Sequence, residues 1–285
     1  LEWLVELRPR DLLAAPQVRA AVGAVIPPSR FDAFAAGHGG VDLRAAEQLV
    51  VARYGLTTLF IVRAPIDPAR VEAALSARAD SVDARTVDHG VVRLAASVRG
   101  EPTQLAILGR EGVALERGRP GPLVAAVYFA QRRLHRAEPA LRAEPLAAAA
   151  TLAGEAPLRA FAAGPFEGEW ASAAAGLFRA TTAVTVAARP EASAGSTSRG
   201  LAVRLVLTGA WGEDAPAAAE RLGAAFGVLA ADPLGRLLGI DRPLDGPVVS
   251  GRPGALELAV ALDVVALARG LHAAADATLA EMMSD

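Results

Sequence analysis

The chain has 285 residues, 53% of them hydrophobic, and its formal net charge is −2. Nucleic-acid-binding proteins need a basic face to neutralise phosphates, so this near-neutral charge predicts no nucleic-acid partner. Because cysteine and lysine are both absent, the sequence excludes disulfides, thiolate metal sites, a Walker phosphate loop and Schiff-base catalysis.

The first forty residues predict one strand and two helices. Glu2–Arg8 alternates weakly between apolar and polar residues, as strands do. A helix should run from a cap at Asp11 to about Val25, where two prolines stop it. A shorter helix over Arg30–Ala36 should end in the glycine-rich loop Gly37–Gly40.

A hairpin followed by a capped helix forms the most strongly patterned stretch, Glu47–Arg78. Its strands are predicted at Gln48–Arg53 and Thr57–Arg63, with a turn at Tyr54–Gly55. Glycine tolerates the positive φ that tight turns between strands often need. Asp67 is a favourable N-cap, and the proline after it fits the first helical position. We therefore interpret Asp67 as a capping residue within a scaffold unit.

Further strands and helices follow in both halves of the chain. In the first half, strands are predicted at Ser81–Val87, Val92–Val98, Gln104–Leu108 and Gly112–Glu116, before a helix from Pro120 or Pro122 to about Arg136. In the second half, strands are predicted at Thr181–Ala188, Leu201–Thr208, Pro247–Ser250 and Ala255–Leu262, with helices at Asp214–Ala230 and Val264–Met282.

These elements predict three regions: a first α+β half at 1–137, an Ala/Pro-rich helical connector at 138–180, and a second α+β half at 181–285. The order of elements at Glu47–Arg78 returns at Thr181–Ala230, which suggests an internal repeat. The predicted fold class is α+β, with mostly antiparallel sheets backed by helices. The repeated order would also suit two ferredoxin-like (split β-α-β) halves in tandem.

The chain has four histidines, at positions 38, 89, 135 and 272. No two lie four residues apart on a helix and none stands beside a carboxylate at metal-ligand spacing, so no metal or cofactor is expected. We keep His38 and His89 as functional candidates, although exposed or locally hydrogen-bonded side chains are the commoner interpretation. The loop around His38 has the composition of an α/β-hydrolase oxyanion loop, but the chain lacks the Gly-x-Ser-x-Gly elbow of that fold.

Glu167 and Glu169 are the acidic candidates, because two carboxylates beside Trp170 can shift each other's pKa. Two residues apart, however, they lie on different faces of a helix. The commoner interpretation is that they are acidic residues in the first turn of a helix, where the dipole favours negative charge. The sequence identifies no catalytic residue.

The order of elements also resembles a known group of proteins. It comprises a strand, a helix ending near the prolines at 27 and 28, the segment Gly40–Leu43, an apolar strand at Leu49–Ala52, and a second strand closing on the Pro-x-Asp-Pro helix start Pro65–Pro68. This pattern is similar to that of uncharacterised secreted lipoproteins and periplasmic proteins of GC-rich bacteria, myxobacteria especially. The resemblance implies an extracytoplasmic location, with the protein tethered through a lipidated cysteine upstream of Leu1. It implies no activity.

Three functions remain open. The first is a non-catalytic envelope domain, periplasmic or attached to the outer membrane, that binds an unknown protein or small ligand through its sheet or between the halves. The alternatives are a hydrolase-type enzyme whose site is assembled from dispersed residues, and a self-associating scaffold. No apolar run approaches the roughly 20 residues that a transmembrane helix needs, and a cytoplasmic location stays open.

Overall fold

A computed structural model of the protein describes residues 1–88, 90–118, 140–142, 144–191 and 200–282. The chain divides into two compact units, which are interleaved in sequence. Unit 1 comprises Leu1–Asp11 and Pro28–Ala140, and unit 2 comprises Leu12–Pro27 and Leu141–Asp285. The boundary at residue 140 lies close to the predicted end of the first half at 137, but residues 12–27 belong to unit 2.

The described residues form twelve strands and nine α-helices. The strands are β1 (Trp3–Leu7), β2 (Gln48–Tyr54), β3 (Thr57–Arg63), β4 (Ser81–Asp88), β5 (Val91–Val98), β6 (Glu101–Leu108), β7 (Gly112–Arg117), β8 (Leu158–Ala163), β9 (Thr181–Pro190), β10 (Gly200–Gly209), β11 (Asp245–Arg252) and β12 (Ala255–Asp263). The helices are α1 (Pro9–Ala14), α2 (Pro16–Val25), α3 (Pro28–Gly37), α4 (Pro68–Ser76), α5 (Leu146–Ala153), α6 (Glu169–Gly176), α7 (Ala215–Ala231), α8 (Pro233–Leu237) and α9 (Val264–Met282). The helix predicted from Pro120 or Pro122 to Arg136 lies outside the described residues.

In unit 1 the strand order is β1-β2-β3-β7-β6-β5-β4, and neighbouring strands are antiparallel. Helix α4 covers part of this sheet, because the apolar stripe of α4 needs a partner surface. Val71 and Leu75 on this stripe pack in one cluster with Leu94 and Ile107 of the sheet. These buried contacts form the main core of unit 1.

The predicted hairpin and capped helix are confirmed. β2 and β3 pair across a turn in which Gly55 has a φ of 54°. The carboxylate of Asp67 accepts hydrogen bonds from the amides of Ala69 and Arg70, at 3.0 and 3.4 Å. The capping therefore explains this aspartate without a further role.

In unit 2 the strand order is β8-β9-β10-β12-β11, again with antiparallel neighbours. Side chains alternate along each strand between two unlike faces. One face carries large aliphatic residues such as Leu207 and Leu256, which α7 covers with Leu222. The other face is rich in alanine, and α5 packs on it where Ala153 meets Ala187. We call this second surface the alanine face.

The predicted α+β class, with antiparallel sheets backed by helices, is confirmed. In a split β-α-β unit, an antiparallel strand separates the two parallel strands. Unit 2 contains this arrangement, because β12 lies between β10 and β11 and is antiparallel to both, and α7 follows β10. In unit 1 three strands, instead of one, lie between β3 and β4. The two units still share an order, since three consecutive strands are neighbours, a helix follows, and the last strand pairs with the third.

The predicted helical connector at 138–180 needs correction. Helices α5 and α6 lie in this segment, but so does β8, which pairs with β9 over its whole length. Phe161 on β8 is among the largest fully buried side chains. The described part of the segment therefore contributes directly to the sheet and core of unit 2.

Candidate functional site

His38 follows α3 and has both ring nitrogens engaged. Its Nδ1 lies 2.8 Å from the carbonyl oxygen of Phe34, and Arg78 donates a hydrogen bond from Nη1 to its Nε2. Because a guanidinium can only donate, we assign the proton of the neutral ring to Nδ1, which donates to Phe34. The ring also stacks on Phe34 with 3.9 Å between centroids. His38 is thus placed as a packed structural side chain, without a free nitrogen for proton transfer.

The loop Gly37–Gly40 is a helix exit and not an oxyanion hole. The amides of His38 and Gly40 both donate to the carbonyl oxygen of Ala35, at 3.2 and 2.8 Å. Gly39 has a φ of 69°, and a Cβ there would lie 2.6 Å from the backbone of α4. The glycines therefore serve the turn and the close approach to α4.

The surroundings of His38 lower its pKa from the ordinary value of 6.5. Burial has the largest effect, the hydrogen bond to Phe34 opposes it, and the charge of Arg78 adds to it. As the pH falls below 6.5 the unfolded chain binds the proton first, so unit 1 should lose stability until the pH has passed the folded pKa. Above that window the contribution of His38 is fully present.

Urea unfolding of the parent chain and His38→Gln at pH values from 8 to 5 measures this effect. The parent should lose more stability on acidification than the variant, which cannot take up this proton. The same pH dependence in both proteins would contradict a half-buried, neutral imidazole at His38.

The other predicted candidates form no site within the described residues. His89 lies outside the described residues, and so does the side chain of Glu169. Glu167 is exposed and precedes α6, so it is not in the first turn of that helix as the sequence predicts. No hydrogen bond or ion pair joins Glu167 to another candidate within the part of the chain that the structure describes.

A cleft of about 280 Å³ lies over the alanine face of unit 2. Its apolar lining consists mainly of small side chains: Ala153, Ala156, Ala187, Ala202, Ala259 and Ala261. Protein interiors are close-packed, so larger residues at these positions would fill the space. Five charged side chains surround this floor: Glu155, Arg189, Glu191, Arg204 and Asp245.

The strand register sets the positions of the charges. Arg189, Ala202, Ala261 and Asp245 lie opposite one another on β9, β10, β12 and β11. Directly opposed residues point to the same face of a sheet. This row therefore carries a cation at one end, an anion at the other, and two alanines between them. With about 4.8 Å between strands, the backbones of Arg189 and Asp245 are about 14 Å apart.

Arg204 is held by its own partner. Its Nη2 lies 2.5 Å from Oε2 of Glu257, and Arg252 contacts the other oxygen of this carboxylate at 3.0 Å. Burial by itself would raise the pKa of Glu257, but the hydrogen bonds and charges of the two arginines keep it below its usual value. Arg204 therefore forms part of a wall of the cleft and is not a free cation.

Three other charged side chains of the cleft make no hydrogen bond or ion pair with any residue that the structure describes: Arg189, Glu191 and Asp245. The carboxylate of Glu191 lies across Gly200, where a Cβ would be 1.9 Å from its Oε2. Gly200 thus leaves room for this side chain. The arrangement provides unpaired charges of both signs around a small apolar floor, which suits binding of a small polar molecule.

None of these residues is among the candidates that the sequence predicts. The signal that identifies them is alternation in the second half, where Ala and Arg at 187 and 189 are matched by Ala and Arg at 202 and 204. Leucine and valine occupy the intervening positions of β10, on the other face. Alternating small and charged residues on one face of a strand predict an open surface. Only the strand register shows that the cleft residues of different strands lie close together.

The edge strands are poorly suited to binding by strand addition. β4 and β11 lie at the ends of the sheets of units 1 and 2, and each pairs with a shift in register. The extra residue of β4 is Asp83, and β11 contains Pro247 within its irregular stretch. Bulges, charges and proline all disfavour pairing of an edge with a further strand.

A second exposed surface of unit 2, which we call the apolar corner, consists of Val228, Leu229, Leu234, Leu237 and Leu271. These residues lie on α7, α8 and α9. A Cβ at Gly235 would lie 1.9 Å from the carbonyl oxygen of Leu229, and one at Gly270 would lie 2.0 Å from that of Leu237. Because backbone contacts hold α8 against its neighbours, its leucines are left at the surface.

None of the helices among the described residues combines the length and apolar character that crossing a membrane requires. No family model and no curated protein matches the chain. Among solved structures, the chain is similar to crystal form I of TP0453, with a TM-score of 0.51 and 10% sequence identity. The match covers 95% of this chain and 94% of that chain, and at this identity it shows a shared α+β fold alone.

Proposed function

We propose that this chain is a non-catalytic, extracytoplasmic domain that binds a small polar ligand in the cleft of unit 2. The observation that carries the proposal is the set of unpaired charges at Arg189, Glu191 and Asp245 around an alanine floor. The described lining contains no hydroxyl or imidazole that would act as a nucleophile or base. The hydrolase alternative draws no support from His38, whose nitrogens are both engaged.

The extracytoplasmic location rests on the resemblance to secreted lipoproteins and periplasmic proteins of GC-rich bacteria. Fractionation of the source bacterium, with an antibody against this chain, tests it separately from binding. We expect the protein in the periplasmic or outer-membrane fraction. Recovery with the cytosol would overturn the location and leave the cleft proposal intact.

A ligand panel tests the cleft itself. The chain is screened by thermal shift and titration calorimetry against short peptides, amino acids, dicarboxylates and sugars. Ala259→Phe places a ring on the exposed floor and should abolish binding of any true ligand. Gly227→Ala, on α7 in open space, is the matched control and should bind as the parent does. Binding that Ala259→Phe leaves unchanged, or no binding by any panel member, would overturn the proposal.

The apolar corner supports a second function, self-association. Exposed aliphatic clusters are often interaction surfaces, and Val228 here is 74% exposed. We propose that a second copy of the chain covers this corner. Light scattering across a range of concentrations should show a dimer that Val228→Ser with Leu234→Ser converts to a monomer. A parent chain that stays monomeric at high concentration would contradict it.

A further inference from the structure

We propose that the cleft of unit 2 binds a zwitterionic peptide of two or three residues, with its carboxylate at Arg189 and its ammonium group at Asp245. This inference rests on the proposed function, because it names the ligand class of the same cleft.

Arg189 is the natural partner of the carboxylate. The other arginine of the cleft, Arg204, is already bound to Glu257 at 2.5 Å. Arg189 is exposed and has no partner among the described residues. A guanidinium presents a planar set of donors that matches both oxygens of a carboxylate. A terminal carboxylate therefore gains its best contact at the β9 side of the cleft.

The ammonium group finds its acceptor at Asp245, which closes the opposed row on β11. Glu191 follows β9 two residues after Arg189 and reaches across Gly200 on β10, so its negative charge lies at the other side of the cleft. Both carboxylates lack a partner in the described part of the chain. Together with Arg189 they carry a charge of about −1 at neutral pH, counting one cation and two anions. A dianion is therefore disfavoured, and a ligand with one carboxylate and one ammonium group is favoured.

The distance between Arg189 and Asp245 sets the length of the peptide. The backbones at the two ends are about 14 Å apart, and the side chains project over the floor between them. An extended peptide spans at most about 3.6 Å for each residue, so three residues cover about 11 Å. Four residues would span about 14 Å, the whole distance between the two backbones, and would leave no room for the side chains of Arg189 and Asp245. The alanine floor and the volume of about 280 Å³ favour small side chains, such as those of alanine or glycine.

Titration calorimetry with four probes tests the assignment: Ala-Ala, N-acetyl-Ala-Ala, Ala-Ala-amide and Ala-Ala-Ala. The free peptides should bind, and each blocked peptide should bind at least tenfold more weakly. Arg189→Ala should remove the preference for the free carboxylate, so that Ala-Ala and its amide bind alike. Asp245→Asn should likewise reduce the preference for the free amino group, so that the affinities for Ala-Ala and N-acetyl-Ala-Ala become more similar.

Arg221→Ala on α7, outside the residues that line the cleft, is the matched control and should leave all four affinities unchanged. If blocked and free peptides bind equally, the zwitterion assignment is overturned. If instead a sugar or dicarboxylate binds and Ala259→Phe abolishes it, the assignment fails while the cleft function stands. If no probe or panel member binds, both fail.

Discussion

Replacing Phe161 by alanine should lower the free energy of unfolding by about 3–5 kcal/mol, the usual cost of removing a buried aromatic ring. Phe161 is 2% exposed and lies opposite Thr185, which is itself fully buried. The substitution would leave a cavity between the sheet and its covering elements. It would also remove the ring over which the Arg159 guanidinium lies, 5.7 Å from the centroid. Urea unfolding followed by tryptophan fluorescence measures the loss, since Trp211 is buried in the same unit.

Leu244→Ala provides the control for this prediction. Leu244 is also in unit 2, but its side chain is 48% exposed, so its truncation should change stability by less than about 0.5 kcal/mol. If Phe161→Ala costs no more than Leu244→Ala, then residues 158–163 are not a core strand of unit 2. The experiment thus decides between a strand and the helical connector that the sequence predicts.

The reason that the sequence misses β8 is physical. Four of its six residues, from Leu158 to Ala163, are Ala or Arg, which have little preference for strands. Its strand conformation comes from pairing with β9, whose paired residues follow 20 to 30 positions later. Tertiary contacts of this kind outweigh local propensity, and they leave no local pattern in the sequence.

The hairpin at β2 and β3 shows the opposite case. Its signals are local: Gly55 supplies the turn, and Asp67 with the proline after it starts the next helix. Turn and capping chemistry acts within a few residues. For this reason β3 is found at Thr57–Arg63, as the sequence predicts.

The cleft is intermediate between these two cases in how far it can be predicted from the sequence. Its side chains come from β9, β10, β11 and β12 and from the end of α5, and they share no motif. The alternation of alanine with arginine on β9 and β10 is visible in the sequence, but the meeting of Arg189 with Asp245 depends on three strand pairings. The sequence points instead to histidines and paired carboxylates, because those residues carry chemistry more often. Ligand sites made of ordinary charges on small-residue floors give a weaker local signal.

The second large effect on stability is expected at the close backbone contact between α8 and α9. Gly270→Ala should destabilise the protein by about 1–3 kcal/mol, as overpacking of a tight contact does. The new Cβ would lie 2.0 Å from the carbonyl oxygen of Leu237 and 2.9 Å from the Cα of Leu238. Both atoms are backbone, so relief requires a shift of α8 or α9 and not a rotamer change.

Gly227→Ala makes the same chemical change in a helix with nothing within 4 Å of the new Cβ. It should stabilise the protein by about 0.5–1 kcal/mol, because alanine is the better helix former. Urea unfolding should therefore give shifts of opposite sign for the two variants. Stabilisation by both would show that α8 is not held against α9 by backbone contact. The leucines of α8 would then be free to turn inward, and the apolar corner would lose its structural basis.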